Sequence, residues 1–143
     1  MSWGLLNKQE LERVALSIRE AESFTSGEIR VYVARHCKGN PLVEAAKKFK
    51  LLKMDATEQH NAVLIYVAPR DRKAAIYGDS GIAEMADEGF WNQALDDLIT
   101  GCRDGQVVEG ICKAIAKVGE LIKNKYPVHQ NDKNELGDEV VQE

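Results

Sequence analysis

Apolar and polar positions recur at two different periods along this chain, and each change of period marks an element. Leu11, Val14, Ala15, Ile18 and Ala21 fall at helical spacing, which predicts a helix from Asn7 to about Glu22. Asn7 and Glu10 stand in capping-box relation at its start, and Trp3, Leu5 and Leu6 just before it are placed to fold back onto the core. Beyond the Ser26-Gly27 turn the period drops to two, with Ile29, Val31 and Val33 on one side and Glu28, Arg30 and Tyr32 on the other, a strand from Glu28 to Ala34. Asn40 suits an N-cap and Pro41 a first helical position. The helix they open runs to about Lys53 and is expected to turn Leu42, Ala45, Ala46, Phe49 and Leu52 inward. Asn61 to Ala68 is a continuous apolar run, the mark of a strand covered on both faces. Pro69 ends it, and a return strand spans Lys73 to Tyr77. Two further helices are predicted, from about Asp87 to Cys102 and from about Gln106 to Tyr126, where Pro127 stops the pattern.

Strand, helix and strand of these lengths make a βαβ unit with parallel strands and a right-handed crossover. The return strand then lies antiparallel at their side. The expected fold is a three-layer α/β/α sandwich around a small mixed sheet. It forms one domain over residues 1–126, followed by a polar tail, 127–143, expected to be disordered and able to contact a partner protein.

Composition narrows the function. The chain has 143 residues, 44% hydrophobic and 29% charged, with a net charge of −4, which suits a soluble globular domain and argues against a nucleic-acid partner. Lys47, Lys48, Lys50 and Lys53 alternate with Phe49, Leu51 and Leu52, as on the solvated side of an amphipathic helix. Cys37, Cys102 and Cys112 lack metal-binding spacing and do not make a disulfide framework, so a reducing compartment fits. Cys102 and Cys112 fall at apolar helical positions, whereas Cys37 follows a strand and is expected to be exposed. The N-terminus does not read as a signal peptide, and the longest apolar run is too short to cross a bilayer. A cytoplasmic protein without membrane insertion is expected.

Candidate chemistry comes from topology. Parallel strands starting at Glu28 and Asn61 begin at one edge, where the antiparallel return strand ends at Gly78-Asp79. Thr25, Ser26, Gly27, Glu28, Thr57, Asn61, Gly78, Asp79, Ser80 and Gly81 should therefore gather there. Glu28, Asn61 and Asp79 are the candidate metal ligands, oxygen donors suited to calcium or magnesium, and a helix starting at Ile82 would add free N–H groups. Gly, Ser, Asp and Asn also serve turns for backbone reasons alone, and Asp79 or Ser80 can cap a following helix, so both readings stand. At the opposite edge His36, Arg70 and Arg72 offer either an anion site or a solvated hairpin tip, with Asp71 fixing the turn.

Recognised catalytic patterns fail. The residues six positions after the cysteines are Val43, Val108 and Val118, not the arginine of a cysteine phosphatase loop. There is no P-loop, Gly-x-Gly-x-x-Gly, His-Glu-x-x-His, Gly-x-Ser-x-Gly or EF-hand pattern, and His36, His60 and His129 are scattered. No catalytic or cofactor-binding residue is assigned.

Four stretches together resemble one family: Thr25 to Val31 (TSGEIRV), Asn61 to Ala68 (NAVLIYVA), Asp71-Arg72-Lys73, and Ile76 to Ile82 (IYGDSGI). With Phe90-Trp91 and Asp104 to Ile111, their order and spacing resemble the TPM domain over roughly Glu10 to Tyr126. That resemblance implies an α/β/α sandwich. It also implies either an accessory role in membrane-protein assembly or quality control or, as described for some plant members, calcium binding and weak acid phosphatase activity. Ala62 stands where the family usually has glycine, and Asp79 where many members have glycine. The chain looks like the soluble bacterial branch, whose ends also resemble Asn134 to Glu139. The resulting expectation is a non-enzymatic binding domain with a protein partner and a divalent-cation corner; the alternative is a weak metal-dependent acid phosphatase.

Overall fold

The computed structural model describes residues 5–128 and 140–143. Helix α1 spans Lys8–Glu22 and opens with the expected capping box: the Asn7 side chain accepts from the Glu10 N–H at 2.8 Å, and the Glu10 carboxylate accepts from the Asn7 N–H at 2.8 Å. Strand β1 is Glu28–Val33, helix α2 Pro41–Leu51, strand β2 Ala62–Ala68 and strand β3 Lys73–Gly78. Helices α3, Glu88–Arg103, and α4, Val107–Ile122, follow, and a short strand β4 is Val140–Gln142.

The sheet order is β3-β2-β1-β4. β1 and β2 are parallel, from Glu28 opposite Ala62 to Val33 opposite Val67. β2 and β3 are antiparallel, with Val63 opposite Gly78. Side-chain parity sorts the strand residues between two cores. Ile29, Val31, Val33, Val63, Ile65 and Val67 pack with α1, α3 and α4. Tyr32, Leu64, Tyr66 and Ala75 pack with Ala45 and Phe49 of α2 on the other face. Among the described residues this is the expected α/β/α sandwich, three helices on one face and α2 alone on the other.

Three differences from expectation have physical reasons. β4 extends the sheet, so the end of the polar tail is ordered: Val140 pairs beside Val31, and the Gln142 side chain both accepts from the Leu6 N–H (3.0 Å) and donates to the Leu6 carbonyl (3.1 Å). Residues 129–139 of that tail, and Trp3, lie outside the described residues. No helix starts at Ile82; residues 79–86 are turns and α3 begins at Glu88, capped by Asp87, whose side chain accepts from the Phe90 N–H at 2.9 Å. Leu42, expected inward, is exposed: it lines up with the buried Ala45 and Phe49 at i, i+3 and i+7, but it stands in the first turn of α2, one turn before the buried stripe begins.

Candidate functional site

The register of β2 against β3 builds the corner. With Val63 opposite Gly78, the next pairs outward bring Asp79 to Ala62 and Gly81 to His60, and the Asp79 N–H donates to the Ala62 carbonyl (2.9 Å) and the Gly81 N–H to the His60 carbonyl (2.8 Å). On the other side of β2 the Glu28 N–H donates to the Asn61 carbonyl at 3.3 Å. Residues 25–28, 57–61 and 78–82 therefore do gather at one sheet edge. The chain after α4 closes this edge from outside. The Thr25 hydroxyl and the Ser26 N–H both donate to the Tyr126 carbonyl, the latter at 2.8 Å, and the Tyr126 hydroxyl donates to the Gly81 carbonyl at 2.8 Å.

Within this frame the candidate ligands sit differently. Glu28 and Asn61 are buried, 4% and 2% exposed. Glu28 shares strand parity with Arg30 and Tyr32, and so belongs to the α2 side of the sheet. The Asn61 amide approaches the Ser26 hydroxyl at 3.5 Å. Asp79 is more accessible: one carboxylate oxygen accepts from the Ser80 N–H at 2.7 Å, and the other faces His60 Nδ1 at 3.3 Å. The Ile82 and Ala83 N–H groups, expected to be free, donate to the Asp79 carbonyl at 2.8 and 3.0 Å. The hydroxyl of Thr57, a residue 2% exposed, has no hydrogen-bond partner.

Among the described residues no three His, Cys, Asp or Glu side chains are grouped to hold a metal ion. The donor set nonetheless has the right chemistry for a hard cation: carboxylate, amide and hydroxyl oxygens, with one buried hydroxyl unused. Two carboxylates rather than four make any such site weak. His60 and Tyr126 are part of the corner although neither belongs to the candidate set. Their signal was positional for His60, since extending the hairpin register past Gly78 places it opposite Gly81.

The opposite edge is a structural joint. The Asp71 carboxylate accepts from the Cys37 N–H at 2.6 Å and faces His36 Nδ1 at 3.7 Å, while the Lys73 ammonium donates to the Cys37 and Gly39 carbonyls at 3.0 Å each. The Cys37 N–H, followed by His36 and Lys73, holds the Asp71 carboxyl below its ordinary range. Cys37 is only 3% exposed, against expectation, because the β2–β3 hairpin folds over it. Cys102 and Cys112 pack against the core without being fully enclosed, and burial pushes the Cys102 thiol up to about 11.

A model of the TPM domain matches residues 2–121. The chain is similar to the BA42 protein of the psychrophilic bacterium Bizionia argentinensis, whose NMR structure has 32% identity over 97% of this chain and 96% of that one, with a TM-score of 0.86. The fold is also that of the N-terminal domain of a protein from P. gingivalis (16% identity, 90% and 85% covered, TM-score 0.68). It recurs in the N-terminal domain of the cg2496 protein of Corynebacterium glutamicum (11% identity, 98% and 82% covered, TM-score 0.63). No curated protein matches the chain.

Proposed function

Because the chain belongs to the TPM domain family, we propose that it is a non-enzymatic accessory domain, acting in protein assembly or quality control, whose ligand end is the polar corner. The supporting observation is where buried polarity lies. The buried polar residues among those described are Thr25, Glu28, Arg30, Thr57 and Asn61, all at or one step inside this edge. Burying polar groups is costly unless a partner satisfies them, and the Thr57 hydroxyl has none within the chain.

In this reading Glu28, Asn61 and Asp79 supply oxygen donors to a calcium or magnesium ion, and a protein partner completes the corner. The His60 ring, facing the Asp79 carboxylate, must turn away for the ion to enter. Two carboxylates predict affinity on the order of 0.1–1 mM. Titration of calcium and magnesium followed by amide NMR shifts, with Asp79→Asn as control, tests the cation. Metal-dependent turnover of a phosphate ester that disappears in Asp79→Asn would replace the binding-domain reading with a weak phosphohydrolase.

A further inference from the structure

Charge is distributed unevenly over this acidic chain. Residues 34–53 and 70–73 carry nine of the nineteen Lys and Arg side chains and only two of the twenty-three acidic ones, a net +7 in a chain of net −4. Asp55 and Glu58, in the turn beyond, reduce that to +5. The two segments are one surface, because Asp71 and Lys73 of the hairpin bond to Cys37 and Gly39 in the loop that leads into α2.

The outward stripe of α2 is Val43, Lys47 and Lys50, spaced i, i+4 and i+7 opposite the buried Ala45 and Phe49. Leu51 flanks it, while Leu42 is exposed at the first turn, in line with Ala45 and Phe49. Of the six large hydrophobic residues exposed among those described, Leu42 (52%), Val43 (51%) and Leu51 (67%) all belong to this helix. Lys47 pairs with Glu44 at 3.4 Å but stays 69% exposed, and Lys50 and Lys53 are exposed. Lys48 is turned aside, its ammonium 5.3 Å from the centre of the Tyr32 ring.

We propose that the outer face of α2, with the adjoining hairpin tip, docks on an anionic lipid surface. Lysine heads on flexible stems beside exposed aliphatic side chains match a headgroup layer, where the ammonium groups meet lipid phosphates and Val43 and Leu51 enter the acyl boundary. A nucleic-acid backbone would reward the lysines but not the aliphatics, and base stacking would call for aromatics that the outer face of α2 lacks. α2 stands alone on its side of the sheet, away from the hollows of about 370 and 360 Å³ that lie by α1, α3 and α4 on the other side. The excess negative charge elsewhere orients the molecule by repelling its remaining surface from the same membrane. This is peripheral attachment; no helix among the described residues is long and apolar enough to cross a membrane.

Vesicle co-sedimentation of the full chain tests the proposal, using phosphatidylcholine alone and with about 30% phosphatidylglycerol. The protein is expected to sediment with the anionic vesicles only, and to be released between about 0.02 and about 0.3 M salt. Lys47→Glu with Lys50→Glu should weaken binding roughly 30-fold or more, at about fivefold for each lysine lost. Leu51→Ser should weaken it several-fold while leaving the salt dependence in place. These positions are exposed, and circular dichroism checks that each variant stays folded. No binding to anionic vesicles at low salt, or binding indifferent to the double lysine reversal, overturns the proposal. Retention on heparin or duplex DNA without vesicle binding overturns it in favour of a nucleic-acid surface.

Discussion

Gly81→Ala should damage the corner and the stability of the fold together. A β-carbon at Gly81 would stand 2.6 Å from the His60 carbonyl oxygen and 2.8 Å from that of Gln59, and would also press on the Tyr126 hydroxyl. Ordinary contact begins near 3.4 Å, so two backbone segments must separate by 0.6 to 0.8 Å. The Tyr126 hydroxyl can swing aside only by giving up its 2.8 Å bond to the Gly81 carbonyl. Overpacking of this kind costs about 1–3 kcal/mol, and the lost hydrogen bond about 0.5–1.5 kcal/mol. The expected loss is then about 2–4 kcal/mol, or roughly 4–16 °C in Tm for a chain of this size. Urea unfolding measures it directly, as a lower midpoint with an unchanged slope. Gly39→Ala is the control: nothing lies within 4 Å of its added β-carbon, and it should fall within about 1 kcal/mol of the parent. A Gly81→Ala protein as stable as the Gly39→Ala protein would refute the close packing of Tyr126 and the 57–60 turn against this glycine.

Two further perturbations probe the ends of the sheet. Asp71→Asn keeps an acceptor for the Cys37 N–H but removes its charge, and at neutral pH should cost about 1 kcal/mol, since a charge-assisted bond at a partly exposed site is worth little more. The Asp71 carboxyl titrates lower in the folded than in the unfolded state, so its contribution is complete above the ordinary aspartate range and lost as pH falls through the depressed folded value. The gap between parent and variant, measured by thermal unfolding across pH, must therefore close on acidification; a gap that widened would contradict the assignment. Gln142→Ala removes both bonds to the Leu6 backbone and should lower stability by about 1–2 kcal/mol while speeding amide exchange in β4 and at residues 6–7.

How much of this was legible in the sequence follows from the range of each interaction. The helices and β1 to β3 declare themselves by period and by local caps such as Asn7 with Glu10 and Asn40, because those signals lie within a few residues. β4 does not: it is three residues long and pairs with β1 across more than a hundred positions, with only Val140-Val141 to suggest a strand. Cys37 reads as exposed because its cover comes from Asp71, in the β2–β3 hairpin 34 positions away. The gathering of the corner residues followed from strand direction alone. Side-chain aim did not: alternation groups Glu28 with Arg30 and Tyr32, but which layer that side meets depends on the face α2 occupies. The turn after Asp79 resembles a helix start in sequence, but its Ile82 and Ala83 N–H groups are used by the Asp79 carbonyl.

The central claim is that the corner binds a cation, and amide NMR during a calcium and then a magnesium titration tests it most directly. The account predicts saturating shifts on the order of millimolar ion, confined to residues 25–28, 57–61 and 78–82 and absent in Asp79→Asn. A spectrum unchanged at those residues, or shifts that persist in Asp79→Asn, would contradict it.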